Sequence, residues 1–303
     1  MNFDNFRALG DKIYTQYFST DFDERHFPEI CATELVSWAF ADHLTMEEIA
    51  EFLSTTHLEQ HPDNRFSNFP ITVYNCPEFY IELLVWTTGT TAIHQHAFSG
   101  AFRVLVGSSL HSCYAFKSKR RISTRLLIGE VNYQGSTLLS IGNVCAIQSG
   151  SEGLVHALYH LDTPSITLVV RTHEEPWKRP QYALYPPSIA LDNLGLDRDK
   201  RVNMLIRLLE TSTSISEELV ENIWRGQIAT LDFPRLFKVC MTLQNQLGDA
   251  ERRDQWFNMI EQHHGELVEH LRHCFASIQR QSSWHWQESI PKMPSYAFGG
   301  GLG

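Results

Sequence analysis

The stretch TTAIHQHAFSGAFRVLVG, residues 90–107, places two histidines one residue apart in a segment of strand-forming residues. Successive side chains of an extended strand point to opposite faces, so His94 and His96 share one face with their imidazoles side by side. A helix would direct the two side chains apart. Because imidazoles bind a metal ion through nitrogens that converge on one point, the pair predicts two ligands of a metal site.

The third ligand of such a site is expected from a neighbouring strand, and His156 is the candidate. It lies in the segment IQSGSEGLVHAL, residues 147–158, where a turn-like SGSEG precedes a second strand-forming run. His160 is the alternative third ligand, although its position beside LDTP favours a turn. The competing interpretation of the His94–His96 pair alone is a solvated strand face that binds no metal.

The composition limits the class of protein. The 303 residues are 43% apolar, which is enough to fill a core, and their formal net charge is −10. The short basic run KSKRR at 117–121 is expected in a solvated turn, so we expect no nucleic-acid groove. No secretory signal and no apolar run of about 18 residues is found, which predicts a cytoplasmic protein without membrane contact. Six cysteines without a CxxC pair indicate reduced thiols. The sequence does not decide between a monomer and an oligomer, so an oligomer stays possible.

The hydrophobic patterns divide the chain into three segments. Residues 1–65 predict helices, with Thr45 and Glu48 as a capping box. Residues 66–188 contain short strand-forming runs typical of a small β-barrel and end in a proline-rich connector, 174–188, in which we expect no regular elements. Residues 189–303 predict four or more amphipathic helices, one of them after a second capping box at Ser214 and Glu217. The predicted fold class is therefore α+β.

The glycine-bounded HxH and the later GxxH, together in one β-rich block, resemble the two motifs of the cupin superfamily. Gly89 precedes the histidine pair by one residue fewer than in the family, and the glutamate that usually follows HxH is replaced by Ser99, Gly100 or Ala101. The resemblance implies a cupin-type β-barrel, which is a double-sheet jelly roll, between an N-terminal helical segment and an all-helical C-terminal region.

Within the cupins, a neutral site of three histidines resembles the cysteine dioxygenase (thiol dioxygenase) family. The stretches WTTGTTAIHQHAFS, 86–99, and NVCAIQSGSEGLVH, 143–156, carry this resemblance, which extends over about residues 66–172. It implies a non-heme iron(II) enzyme that uses O2 on a small amino-acid-like or thiol substrate, although imidazoles also suit zinc, copper and nickel. The alternative is a cupin that is not an oxygenase: a metal-dependent isomerase or lyase, or a small-molecule sensor whose helical region binds a partner.

Arg171 is the residue that we expect to bind an anion. A strand that begins after Pro164 places Thr167, Val169 and Arg171 on one pocket face. The alternative is a strand that ends before Arg171, whose side chain would then point to solvent near His173 and Glu174. A buried guanidinium cannot lose its proton, so it needs a substrate anion or an internal acid such as Glu82 as its partner. Arg171 stands where some members of the family have a pocket tyrosine, and the cysteine that is cross-linked to that tyrosine is also missing. The resemblance therefore implies no cross-linked cofactor.

The strand before the histidine pair supplies further candidates. Its alternation places Tyr80, Glu82 and Trp86 on one face, where Trp86 is either core or a flat wall beside the substrate. Arg103, on the strand after the pair, is a second candidate cation. We predict catalytic roles for Arg171 and Trp86, and substrate contacts for Arg171, Arg103, Glu82 and Tyr80. His111 and the histidines after residue 260 are expected to have no metal role.

Overall fold

Two antiparallel β-sheets face each other across the interior, and helices pack on their outer faces. This computed structural model describes residues 4–39, 44–55, 67–87, 89–150, 153–173, 179–197, 199–210, 217–243 and 250–282. The strands are β1 (Phe69–Asn75), β2 (Phe79–Trp86), β3 (His94–Gln95), β4 (Gly100–Val106), β5 (Ser109–Arg121), β6 (Leu126–Leu139), β7 (Val144–Ile147), β8 (Val155–His160), β9 (Ser165–Thr172), β10 (Tyr182–Tyr185) and β11 (Ile189–Asp192). The helices are α1 (Asp4–Ser19), α2 (Phe27–Ser37), α3 (Met46–Thr55), α4 (Asn193–Asp197), α5 (Lys200–Glu210), α6 (Glu217–Thr230), α7 (Phe233–Thr242), α8 (Ala250–His264) and α9 (Leu267–Ser282). Within these ranges, no helix is both long and apolar enough to cross a membrane.

The two sheets form the predicted barrel. The first has the strand order β1-β2-β9-β4-β7, and the second closes in the order β10-β11-β6-β5-β8-β3. Leu84, Phe102 and Val169 of the first sheet pack against Leu139 and Leu158 of the second in one apolar core. This arrangement is a double-sheet jelly roll. The predicted α+β class and the double-sheet jelly roll between N-terminal and C-terminal helices are therefore confirmed.

The N-terminal helices cover the outer face of the first sheet. Phe6 and Ile13 of α1 and Leu35 of α2 belong to the same apolar cluster as Ile81 of β2 and Val170 of β9. As a result, every residue of β2 and β9 is buried, on one face by helices and on the other by the second sheet. A strand buried on both faces tends to be apolar throughout, and FYIELLVW has only one charged residue, Glu82, whereas SITLVVRT also buries polar side chains.

The capping box predicted at the start of α3 is confirmed. The Thr45 amide donates to Glu48 Oε2 at 3.0 Å, and the Glu48 amide donates to Thr45 Oγ1 at 3.2 Å. These reciprocal bonds satisfy two of the amides that a helix start leaves without intrahelical partners. The second predicted box, at residues 214 and 217, lies outside the side chains that the structure describes.

The proline-rich connector contains regular structure, contrary to the prediction from its composition. β10 pairs with β3, with Ala183 opposite His94, and β11 pairs with β6, with Ile189 opposite Ile128. The prolines at 180, 186 and 187 flank β10 and leave its own amides available for pairing. The β10–β11 hairpin therefore crosses the predicted boundary at residue 188 and adds two strands to the barrel. The basic run at 117–121 also differs from the prediction, because it is the exposed end of β5 and not a turn.

The C-terminal helices pack against the outer face of the second sheet. One apolar cluster joins Leu126, Ile189 and Leu191 of the barrel to Trp224 of α6 and Phe237 of α7. Full burial of a large apolar side chain stabilises the folded state by about 1.5–3 kcal/mol. The barrel and the helices therefore share a core, and we expect them to unfold together.

Replacing Ile189, which is 0% exposed at this contact, should destabilise both parts at once. We expect Ile189→Ala to lower the free energy of unfolding by about 2–5 kcal/mol, because the cavity it leaves adds to the lost transfer energy. The matched control is Met204→Ala on α5, whose side chain is 69% exposed and should matter little. Calorimetry should give one transition that shifts as a whole. Two transitions, of which only one shifts, would contradict the shared core.

Candidate metal centre

The three histidines of the sequence motifs converge between the two sheets. β3 pairs with β8 in a register that places His94 directly opposite His156. The His94 ring centroid lies 4.7 Å from the ring centroids of both His96 and His156. One potential ligand nitrogen from each ring lies within 4.8 Å of the other two, and all three side chains are buried. These residues form a group that could hold a metal ion.

The spacing of two of the three nitrogens fits a single ion. Two neighbouring nitrogens bound to one metal at about 2.0–2.1 Å lie about 2.8–3.0 Å apart in octahedral geometry and about 3.3–3.4 Å apart in tetrahedral geometry. The Nε2 atoms of His96 and His156 are 3.0 Å apart. His94 Nδ1 lies 2.8 Å from the Ala92 carbonyl oxygen, which holds the proton on Nδ1 and leaves Nε2 deprotonated as a ligand.

Burial keeps these imidazoles neutral. Desolvation lowers the pKa of His94 to about 4, and it holds the pKa values of His96 and His156 well below the usual range. Repulsion between the rings lowers the pKa of His96 and of His156 further, and the nearby Arg171 guanidinium acts in the same direction on His94 and His96. A metal ion binds neutral imidazole, so at neutral pH the three side chains are in the protonation state that a metal requires.

A small, mostly apolar cavity adjoins the histidines. Its volume of about 30 Å³ gives room for one or two water molecules. It is lined by Leu84, Trp86, Thr91, His94, His96, Phe98, Phe102, Ile147, His156, Leu158, Thr167, Val169 and Arg171. Among these described lining residues there is no carboxylate and no residue of the C-terminal helices. An ion held by the three imidazoles would therefore have no carboxylate of the described lining beside it.

Arg171 occupies the pocket face on which strand alternation placed it. It lines the cavity together with Thr167 and Val169, and its side chain is 1% exposed. Of the two partners considered for it, the structure contains the internal acid, because Arg171 NH1 donates to Glu82 Oε1 at 3.2 Å. The guanidinium also lies 3.7 Å from the Phe98 ring centroid. The buried positive charge is thus balanced from within the barrel.

The other predicted substrate contacts lie away from the cavity. Tyr80 and Glu82 contact Arg171 and do not line the cavity themselves. Arg103 extends from the opposite face of the first sheet, where its NH1 donates to the carbonyl oxygens of Leu35 and Trp38 at 2.7 Å each. Its guanidinium therefore fixes the C-terminal end of α2, and the predicted substrate contact of Arg103 is wrong.

Trp86 lines the cavity and connects it to His160. The indole Nε1 donates to Thr167 Oγ1 at 3.3 Å, and the ring stacks on His160 with centroids 4.7 Å apart. His160 is the last residue of β8. The turn that its sequence neighbours had indicated is therefore wrong. His160 Nδ1 lies 2.9 Å from Ser109 Oγ and 2.7 Å from Ser165 Oγ. It does not belong to the converging histidine group, which favours His156 as the third ligand.

His111 is a site residue that the sequence did not indicate. It lies in β5, beside β8, and its Nε2 is 2.8 Å from His156 Nδ1. Alternation along β5 places Ser109, His111 and Cys113 on one face. Alternation alone is a weak sequence signal for a role of His111, because only the pairing of β5 with β8 brings this face of β5 next to His156.

Three comparisons with known proteins gave matches only among solved structures. No family model matches the chain, and no curated protein matches it in sequence. The chain is similar to hydroquinone 1,2-dioxygenase from a Sphingomonas species with 4-hydroxybenzoate bound, at 16% identity over 37% of this chain and 70% of that chain, with a TM-score of 0.28. It is similar to a DMSP lyase from Ruegeria pomeroyi, at 13% identity over 53% of this chain and 78% of that chain, with a TM-score of 0.30.

A third similar structure is a sugar phosphate isomerase of the cupin superfamily from Silicibacter pomeroyi. Its identity is 15% over 44% of this chain and 79% of that chain, and its TM-score is 0.28. The three proteins catalyse different reactions, and the TM-scores are low. We therefore base the fold on the strand order given above and draw nothing about the reaction from these neighbours.

The histidine group makes a direct prediction about metal content. His94→Ala, His96→Ala and His156→Ala should each lose most of the bound metal, because each removes one of three converging nitrogens. His160→Ala is the matched control, since it removes a buried histidine of the same strand as His156 and should retain the metal. Elemental analysis of the purified, folded variants measures this. Full metal in His156→Ala together with loss in His160→Ala would assign the third ligand to His160.

The buried Arg171–Glu82 pair makes a prediction about stability. Arg171→Met should lower the free energy of unfolding by about 3–5 kcal/mol, because it leaves the Glu82 carboxyl buried without its cationic partner. Adding Glu82→Leu should restore most of this loss. Lys119→Met in the exposed pair Lys119–Glu130 is the control and should have little effect. Urea unfolding measures all three; an Arg171→Met variant as stable as wild type would refute the coupling.

Proposed function

We propose that this protein is a non-heme iron(II) oxygenase of the thiol-dioxygenase type, which uses O2 and a small thiol or amino-acid-like substrate. The observation that carries the proposal is the convergence of three neutral, buried imidazoles beside a cavity without a lining carboxylate. Such a donor set leaves coordination positions open for small molecules, as a catalytic site requires. His94, His96 and His156 are the proposed ligands.

Iron is the proposed metal because of the resemblance to thiol dioxygenases. The nitrogen donors alone also suit zinc, copper and nickel, so the donor set does not select iron. Iron(II) would supply open coordination positions and one-electron chemistry. The protein would supply the fixed positions of the ligands and the exclusion of water around them.

The cavity walls carry the remaining roles in this proposal. Apolar side chains exclude water, which strengthens every electrostatic interaction near the histidines. Arg171 would orient an anionic group of the substrate, and Trp86 would act as a flat wall against which the substrate packs. Because the cavity has only about 30 Å³, the substrate must be small, or side chains must move to admit it.

A second candidate function is a cupin that is not an oxygenase, either a metal-dependent isomerase or lyase or a small-molecule sensor. The observation in its favour is the Glu82 carboxyl, which already balances the charge of Arg171. A substrate carboxylate would have to share the guanidinium with Glu82. A ligand without a carboxylate would meet no such competition.

Oxygen consumption separates the two candidates. Protein reconstituted anaerobically with Fe(II), and in parallel with Zn(II) or Ni(II), should be mixed with O2 and a panel of small thiols. The proposal predicts uptake of O2 only with Fe(II) and only with a thiol; serine and ethanolamine, the alcohol counterparts of cysteine and 2-aminoethanethiol, are the matched controls. His156→Ala should abolish the uptake. An iron-loaded protein that takes up no O2 with any thiol in the panel would favour the second candidate.

A further inference from the structure

His111 and His156 form a direct contact between two imidazoles. His111 Nε2 lies 2.8 Å from His156 Nδ1, which is a hydrogen-bond distance, and both side chains are buried. The antiparallel pairing of β5 with β8 fixes this contact, with Cys113 opposite His156 and His111 opposite Leu158. The contact lies on the side of the His156 ring away from the nitrogen that faces His96.

A shared hydrogen bond links the proton positions of the two rings. A neutral imidazole carries one proton, so a ring that donates from Nδ1 has a lone pair on Nε2. If His156 Nδ1 donates to His111 Nε2, then His156 Nε2 has the lone pair that a metal needs. The opposite direction would place the His156 proton on Nε2, toward His96, and would block binding there.

We propose that His111 is a positioning residue for the metal site, and that it accepts the Nδ1 proton of His156 and so holds His156 in the tautomer that binds metal through Nε2. This inference rests on the metal site of the proposed function. A partner behind a metal-binding histidine usually fixes both its tautomer and its ring orientation. Here the partner is a second neutral imidazole in place of a carboxylate or a carbonyl.

The geometry around His94 supports a dedicated role for His111. His94 has an equivalent partner in the Ala92 carbonyl oxygen, at 2.8 Å from its Nδ1. For His156, the hydrogen-bond partner of Nδ1 is the His111 side chain of β5. Cys113 Sγ also approaches His111 Nε2, but at 3.8 Å, and a thiol is only a weak hydrogen-bonding group.

Three variants test the proposal with Zn(II) as the probe. His111→Phe keeps the ring shape and removes the acceptor, so it should weaken Zn(II) binding by about 10–100-fold. His111→Gln supplies an amide oxygen as a new acceptor and should recover much of the affinity. Cys113→Ala is the matched control on the same strand face and should bind as wild type does. Affinity is measured by competition with a chromophoric chelator, and folding by thermal denaturation.

A spectroscopic measurement tests the direction of the hydrogen bond. In zinc-loaded protein labelled with ¹⁵N-histidine, the proposal predicts a proton on His156 Nδ1 and a ¹⁵N–¹⁵N coupling across the bond to His111 Nε2. A protonated His156 Nε2, an absent coupling, or a folded His111→Phe variant with wild-type affinity would overturn it. If His111→Phe does not fold, the ¹⁵N–¹⁵N coupling and the Zn(II) affinity of His111→Gln test the proposal in its place. Wild-type protein that binds no Zn(II) would refute the metal site itself, and this inference with it.

Discussion

The site depends on the pairing of one very short strand. β3 contains only His94 and Gln95, and it is held on one side by β8 and on the other by β10. This double pairing places His94 opposite His156. A shift of the β8 register by one residue would turn His156 to the other face of the sheet and separate it from the HxH pair. The convergence of the ligands is therefore a consequence of strand register.

Burial imposes a second constraint on the same interior. Imidazoles can stay neutral when they lose water, and the pKa values of the three histidines are lowered accordingly. A guanidinium cannot lose its proton on burial, so Arg171 forms an ion pair with Glu82. The interior thus contains neutral nitrogen donors beside the cavity and a lining guanidinium, Arg171, whose charge Glu82 balances from behind. Neutral nitrogen donors of this kind suit a metal cation as their ligand-bound ion.

The sequence predicted those parts of the fold and site that follow from local pattern. The HxH and GxxH motifs indicated His94, His96 and His156, and alternation placed Arg171 on the correct face of β9. The same alternation failed for Arg103, because β4 has helices on one side and the second sheet on the other, and a period of two does not say which face is inside. His111 and β10 were missed because each acquires its role only by pairing with strands distant in the sequence.

X-ray absorption at the iron edge tests the central claim most directly. Protein loaded anaerobically with Fe(II) should show nitrogen scattering at about 2.0–2.2 Å and the outer-shell pattern of three imidazoles, because three neutral rings are the proposed ligands. His156→Ala should reduce that pattern to two imidazoles, whereas His160→Ala should leave it at three. A spectrum dominated by carboxylate or water oxygens, with at most one imidazole, would contradict the three-histidine site.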